Sequence, residues 1–257
     1  MDKFVHLHLH SHYSLLDGAI KIDDIISKAI EFNMSAAAIT DHGNMFGAIE
    51  FYEKALKKSV KPLIGCEMYV SRSDMTLKNS NEKLYYHLIL LAKNEEGYQN
   101  LSRLISKSYT DGFYYKPRID KNILKENHSG LIALSACLKG EIPYNLIQGK
   151  MDLAEKNLQY YLDLFGDDFY LEMQMQGIEE QKRANAGIVE LSKKYGVPLV
   201  ATNDCHYLLK DDYEAHDVLL CIQTGKTVED KDRMRFSTKD LYFKSQEEMI
   251  SPSSAGR

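Results

Sequence analysis

Short apolar runs rich in β-branched and aromatic residues alternate with amphipathic stretches along nearly the whole chain. FVHLHLH (4–10) is followed by IDDIISKAIEFN (22–33), SAAAIT (35–40) by FGAIEFYEKALKK (46–58), and HLILLAK (87–93) by EEGYQNLSRLISKSY (95–109). The same rhythm returns with LIALSA before a helical region over 139–165, DFYLEMQM before EEQKRANAGIVELSKKYG, and VPLVATND before DDYEAHDVLLCIQ. A hydrophobic period that switches between 2 and about 3.6 predicts strands followed by helices. With PLIGCEMYV (62–70) the runs amount to about seven strands, an α/β pattern that favours a parallel sheet with helices outside it. No glycine-rich dinucleotide turn follows the first run, so a closed barrel is favoured over an open, doubly wound sheet. The polar stretch SRSDMTLKNSNEK (71–83) reads as a surface loop.

With 257 residues, 44% of them hydrophobic, the chain can bury a substantial core. A formal net charge of −5 argues against a protein that coats nucleic acid by bulk positive charge, so such a partner would have to be held locally. No apolar run approaches the ~20 residues of a membrane span, and the charged start is unlike a secretory leader. A cytoplasmic protein is expected. Cys66, Cys137, Cys205 and Cys221 are widely spaced, without a CxxC, so neither a disulfide framework nor a zinc ribbon is suggested.

Histidine occupies positions 6, 8, 10 and 12. On a strand, His6, His8 and His10 would share a face opposite Val5, Leu7 and Leu9. Three imidazoles on a buried face each need partners for two nitrogens, and HxH is a two-ligand spacing for a metal. An exposed edge strand with solvated histidines is the simpler alternative, weakened by this being the first strand of a repeating series. Barrel sites assemble at the carboxyl ends of strands, and there the chain places Asp41 and His42 (ITDHG), Glu67 (IGCE), Cys137 (LSAC), and Asp204 and His206 (ATNDCH), with Asp17 in the first loop. Individually each has an ordinary explanation as a cap, turn residue or packing group. Alternation turns Cys66 and Cys205 away from this face, and Cys221 sits on an apolar helix face. His87 begins its run and falls at the wrong end of a simple parallel barrel.

The ordered series HLHLHS, ITDHG, GCE, YYHLILLAKN, LSACLKGEI and ATNDCHYL resembles the PHP (polymerase and histidinol phosphatase) domain. YSLLDGA, DHGNMFGAIEFY, GFYYKPRID, AHDVLLCIQTGK and RMRFSTKDLYFKS resemble its branch in bacterial replicative DNA polymerase III alpha subunits. The resemblance covers Phe4 to about Ile250. It implies a distorted seven-stranded (β/α) barrel holding three divalent metals through His8, His10, Asp17, His42, Glu67, His87, Cys137, Asp204 and His206. His6, Asp41 and Glu172 would orient these ligands, and His12 would face solvent. Zinc suits the mixed imidazole, carboxylate and thiolate set, with manganese or iron at oxygen-rich positions.

The implied activity is metal-dependent phosphoester hydrolysis, as a 3′→5′ exonuclease on a DNA 3′ end, with no polymerase active site in this chain. Lys116 and Arg118 would contact phosphates and Tyr114 or Tyr115 stack on a base, unless GFYYKPRID packs against other polymerase domains. Partners would be the remaining domains of the alpha subunit and, through the full-length protein, a proofreading exonuclease subunit and the sliding clamp. Residues 1–226 are expected to form the barrel, 227–250 to start the connection to further domains, and 251–257 (SPSSAGR) to be a tail unrelated to the fold. Two competing functions are a structural module stiffened by metals and a free-standing phosphatase resembling histidinol phosphatase.

Overall fold

The computed structural model describes residues 4–79 and 84–250, so the 251–257 tail lies outside the described residues. The strands are β1 (Ala36–Ile39), β2 (Lys61–Ser71), β3 (Tyr85–Ala92), β4 (Phe113–Tyr114), β5 (Lys116–Ile119), β6 (Leu131–Leu134), β7 (Phe169–Gln174) and β8 (Leu199–Thr202). The helices are α1 (Ile22–Glu31), α2 (Ala48–Lys57), α3 (Glu95–Thr110), α4 (Lys121–Glu126), α5 (Glu141–Ile147), α6 (Met151–Phe165), α7 (Glu179–Tyr195), α8 (Tyr213–Thr224) and α9 (Gln246–Ile250). None of the described helices is long and apolar enough to cross a membrane.

The strands form one curled sheet in the order β4-β5-β2-β3-β6-β7-β8. The long β2 serves two neighbours on one side: its first half pairs with β1 at Lys61–Ile64, and its second half with β5 at Tyr69 and Val70. β1/β2, β2/β5, β6/β7 and β7/β8 are parallel. The sheet is nevertheless mixed rather than all parallel, because β3 runs antiparallel to both β2 and β6. The physical reason lies in the polar 71–83 loop. A parallel return needs a long crossover, usually a helix, and the described residues of this connection contain none.

The histidine-rich first segment is extended but is not a regular strand. Backbone bonds tie it to β1 (Ala38 N to His6 O, 3.1 Å; Thr40 N to Leu9 O, 2.8 Å) and to the turn after β8 (His10 N to Cys205 O, 2.8 Å; Cys205 N to His8 O, 3.2 Å). It thereby bridges the two sides of the curl and supplies the seventh wall of a distorted barrel. The Leu9 amide bonds the Thr40 hydroxyl at 2.9 Å, and the chain bends at Leu7 and His8.

That bend resets the alternation. Leu7 packs inside the curl with Ala38, Ile89 and Leu134, whereas Leu9 joins Ile25, Phe51 and Phe243 beneath α1 and α2. The main core lies between the sheet and its outer helices, where Met68, Val70, Leu88 and Leu90 meet Leu101, Leu104, Leu158 and Leu191. Beyond α8 the chain folds back instead of leaving. His206 N bonds Leu241 O (2.8 Å), Phe243 N bonds Tyr207 O (3.1 Å), and the buried Asn203 amide donates to the carbonyls of Asp240 and Tyr242. Part of the 227–250 stretch, expected to start a connection, therefore contributes Leu241 and Phe243 to the packed interior.

Candidate metal centre

The antiparallel course of β3 explains His87. Its strand enters the sheet at the edge where the parallel strands leave it, so the start of β3 lies beside the end of β2, with His87 paired to Tyr69. His87 Nδ1 reaches Glu67 Oε1 at 2.7 Å. His42 follows β1 and bridges to Glu67, its Nδ1 2.7 Å from Oε2, while its Nε2 lies 3.0 Å from Asp17 Oδ2.

From the bent first segment, Nε2 of His8 and Nε2 of His10 lie 3.1 and 3.2 Å from Asp204 Oδ1. His206 sits 3.8 Å from Asp17 Oδ1, and Cys137 Sγ lies 3.9 Å from Glu67 Oε1 and 3.8 Å from His87 Nδ1. Every ligand position expected from the sequence is thus drawn into one cluster. Among the described residues, three overlapping sets have converging atoms that could hold a metal: His10, His42 and His206; His8, His10 and Asp204; and His42, Glu67 and His87.

The neighbours of these side chains decide which nitrogen faces inward. His8 donates from Nδ1 to Glu172 Oε1 (2.7 Å), an oxygen that also accepts from the Thr202 hydroxyl and Gln174 Nε2. His10 donates from Nδ1 to Ser14 Oγ (3.0 Å), whose own proton goes to Asp41 Oδ1 (2.7 Å). His206 donates from Nδ1 to the Asp204 carbonyl (2.8 Å). Each hydrogen bond turns Nε2 into the site, the arrangement that prepares an imidazole for a metal. At His8, burial opposes but Asp204, Glu172 and Glu67 raise the imidazole well above the usual histidine range, so a cation there must displace a proton. His216 donates to the Asp17 carbonyl (2.7 Å) and anchors that loop. Gly18 is required beside it, since a Cβ there would stand 2.1 Å from Ser11 O. Ala136 and Asp204 have φ of +61° and +50°, a left-handed backbone that non-glycine residues adopt at a cost of roughly 1–2 kcal/mol, here spent at two strand ends of the site.

His8 Nε2, His10 Nε2, Asp17 Oδ1, His42 Nδ1, Glu67 Oε2, His87 Nε2, Glu172 Oε2 and Asp204 Oδ1 are buried without a hydrogen-bond partner among the described residues. An isolated orphan of this kind costs about 1–3 kcal/mol, and such a concentration of lone pairs and carboxylate oxygens fits shared cations. Electrostatics agree. Burial alone would raise the Glu67 carboxyl, but His87, His42 and His8 hold it well below the usual carboxylate range. Burial opposes, yet Glu67 and Asp17 outweigh it in raising His42 to about 10, so a cation must displace a proton to gain this imidazole's lone pair. Burial pushes the Cys137 thiol well up, and Glu67 and Asp204 push it further, so a cation must displace its proton to gain the thiolate.

The supporting residues divide. Glu172 accepts from His8, and Asp41 reaches His10 through Ser14. His6, also expected to orient a ligand, does not. The bend at Leu7 and His8 turns it away, so that Nε2 bonds Lys244 O at 2.8 Å, Nδ1 meets Cys205 Sγ at 3.4 Å and the ring packs on Phe243. It locks the returning chain rather than touching a ligand. Cys66, Cys205 and Cys221 are buried packing groups, and His12 is exposed, both as expected.

Arg118 is the clearest correction among the substrate contacts. It is fully buried, and its guanidinium donates to the carbonyls of Gly112 (3.1 Å), Met75 and Leu77 (2.9 Å each), tying the 71–79 loop to the β4/β5 hairpin. It cannot meet a phosphate. Tyr114 lies against that guanidinium, Tyr115 is exposed at the hairpin tip, and Lys116 Nζ lies 5.4 Å over the Tyr69 ring. The sequence reading missed Ser14, Thr202 and His216. Of these, Ser14 carried a signal, lying four residues after His10 in HSHYS.

Comparison with known proteins agrees with this architecture. The PHP domain family matches residues 6–176. DNA polymerase III subunit alpha of Borreliella burgdorferi is 50% identical over 249 residues, and that of Thermus aquaticus is 50% identical over 252. Each alignment spans 96% of this chain but only 22% and 21% of the relative, so the chain corresponds to about a fifth of those proteins. A solved Bifidobacterium adolescentis structure, assigned to the metal-dependent phosphoesterases, superposes with a TM-score of 0.51 at 14% identity, covering 80% of this chain and 88% of its own, and supports the fold.

Proposed function

The chain belongs to the PHP domain family, and from that premise we propose that it is the metal-dependent phosphoesterase module of a DNA polymerase III alpha subunit, hydrolysing phosphodiesters at a DNA 3′ end. One observation carries the reading: buried imidazole nitrogens, carboxylate oxygens and a thiol converge from separate elements of the barrel, with His8 and His10 oriented by side chains outside the cluster and His206 by the backbone carbonyl of Asp204. His8, His10, Asp17, His42, Glu67, His87, Cys137, Asp204 and His206 would hold three divalent ions, with zinc favoured by the mixed donor set and manganese or iron suited to oxygen-rich positions. Bound ions would supply a water acidic enough to attack at neutral pH and would offset charge on the phosphoryl oxygens.

The chain's own residues prepare for that chemistry. Glu172, Ser14 and Asp41 keep the histidines oriented. Burial opposes, but neighbouring imidazoles hold the Asp17, Glu67 and Asp204 carboxyls below the usual carboxylate range. In the proposed reaction water adds to phosphorus, the P–O3′ bond breaks, and the leaving oxygen takes a proton, giving a shortened strand and a nucleoside 5′-monophosphate. The remaining domains of the alpha subunit, a proofreading exonuclease subunit and the sliding clamp are the partners this reading implies, in a cytoplasmic setting.

A second reading has its own support. The proposed ligands come from the first segment and the loop after it, the middle of β2, the start of β3 and the turns after β1, β6 and β8, so metals would cross-link the barrel and could serve as a structural module. Elemental analysis together with digestion of a 3′-mismatched primer by wild type and Asp204→Ala separates the two, with a small phosphomonoester as control. More than one metal per chain and nucleotide release by wild type alone support the exonuclease. Full metal occupancy without release supports the structural module. Activity confined to the monoester would instead indicate a phosphatase resembling histidinol phosphatase.

A further inference from the structure

Adjacent strands bring two lysines and two tyrosines to one rim of the centre, none of them among the ligands. Tyr69 on β2 pairs across the sheet with His87 on one side and Arg118 on the other. Its buried ring lies nearly parallel to His42 (5.8 Å, 14°), edge-on to Tyr85 (4.9 Å, 73°) and beneath Lys116 Nζ. Tyr85, two residues before His87 on the same strand face, stacks on that ligand (5.8 Å, 5°) and is partly exposed.

Lys139 is brought to the same rim from the loop after β6, because His87 N bonds Lys139 O at 3.0 Å. Gly140 lets this loop turn tightly back on itself, since a Cβ there would stand 2.0 Å from Ser135 O. Lys139 is exposed as a residue, and its ammonium lies within electrostatic range of Cys137, Tyr85, Glu67 and Asp17. Among the described residues neither Lys116 nor Lys139 forms an ion pair with a carboxylate. The two lysines are thus cations at the mouth of the site, separated by rings rather than neutralised.

We propose that Lys116, Tyr85 and Lys139, with Tyr69 as the rigid backing, hold the nucleotides next to the scissile phosphodiester, making the substrate a single-stranded polynucleotide end rather than a small phosphate ester. This rests on the phosphoesterase reading. β5, β2, β3 and β6 lie side by side, and three intervals of ~4.8 Å give a rim of about 14 Å, room for on the order of four nucleotides stacked at ~3.4 Å. The lysines serve phosphates and the Tyr85 ring a base face, a combination that tolerates any sequence.

The experiment uses the metal-loaded protein, a 5′-fluorescein-labelled deoxythymidine decamer and the corresponding dinucleotide. Anisotropy measures decamer binding across a salt series, and kcat/KM is compared for the two lengths. Lys116→Ala/Lys139→Ala should weaken decamer binding at least 10-fold, reduce the slope of log K against log salt by about 1.4 for two lost phosphate contacts, and collapse the preference for the decamer, with metal content retained. Tyr85→Leu should weaken binding without changing the salt slope. Lys57→Ala/Lys58→Ala, removing two exposed charges at the end of α2, should alter binding less than 2-fold. Decamer binding by the Lys116/Lys139 variant within 2-fold of wild type, an equal loss in the Lys57/Lys58 variant, or no binding by wild type at low salt would overturn the rim. If neither length is cleaved by fully loaded wild type, the hydrolytic reading fails, and the anisotropy series still decides the rim.

Discussion

Glu172 Oε1 lies 2.7 Å from His8 Nδ1, and both side chains are completely buried. The carboxylate fixes the inward-facing nitrogen of a proposed ligand and lies outside the three sets of converging atoms, although its Oε2 is buried without a partner among the described residues. Outer partners of this kind typically contribute 10–100-fold to metal affinity. Glu172→Gln is therefore expected to weaken metal binding by about that factor while circular dichroism stays native. Calorimetric titration of metal into chelator-treated protein makes the measurement, and an affinity within 2-fold of wild type would refute the role.

Ser14 occupies the same position for His10, accepting from Nδ1 and passing its own proton to Asp41. Ser14→Ala should lower metal affinity by roughly 10-fold and leave Asp41 with its Ser11 contacts. Ser14→Thr, which keeps the hydroxyl, should recover most of the loss. Equal affinity for the alanine and threonine variants would show that the relay is unimportant.

Removal of metal should destabilise the fold. At a free metal concentration of about 1,000 times Kd, binding linkage supplies about 4 kcal/mol, which for a chain of this size corresponds to a drop in Tm on the order of 10 °C on chelation. Differential scanning calorimetry with and without chelator tests this, and reloading should restore the original Tm. A chelator-treated protein free of metal but unchanged in Tm would contradict the proposed cross-linking of strand ends.

His6 should make the chelator-treated protein acid-sensitive independently of the metal. Burial lowers its pKa from 6.5 to about 4, opposed by the hydrogen bond to Lys244 O; the Lys244 ammonium lowers it further and Glu248 raises it. Between those values the unfolded chain binds a proton that the folded chain excludes. The contribution is therefore complete above about pH 6.5, declines as pH falls, and reaches about 3 kcal/mol of loss near pH 4. Urea denaturation of wild type and His6→Gln at pH 7.5 and 4.5 should show the variant losing about 2 kcal/mol less. Identical pH dependence in the two proteins would exclude His6 as the source.

Arg118→Ala should cost about 3 kcal/mol or more, because it empties a buried position and leaves the Gly112, Met75 and Leu77 carbonyls without their donor. Denaturant midpoints measure the loss. Under conditions where the variant remains folded, oligonucleotide affinity should match wild type, and a selective loss of affinity would restore Arg118 as a phosphate contact.

Much of this architecture was legible because a strand or a helix needs only local periodicity. The alternation predicted α1, α2, α3, α7 and α8, one helical region that holds α5 and α6, and most of the strands, but not the short α4, and the ordered motifs predicted which residues would meet. Periodicity failed where a neighbour overrode it. The Thr40 hydroxyl takes the Leu9 amide, the first segment bends, and His6 leaves the face that His8 and His10 share. GFYYKPRID showed aromatic and basic residues but not the hairpin that places Arg118 beneath the surface and Lys116 above Tyr69.

The sequence by itself determined the inventory: an α/β chain with imidazoles, carboxylates and a cysteine at the ends of apolar runs, in the order of the PHP family. Only the tertiary structure decided direction and environment. His87 joins the site because a connection without a described helix turns β3 antiparallel, and Lys139 reaches the rim because its carbonyl accepts the His87 amide. Strand direction and burial arise from contacts between residues far apart in the chain, and a local pattern carries no record of those partners.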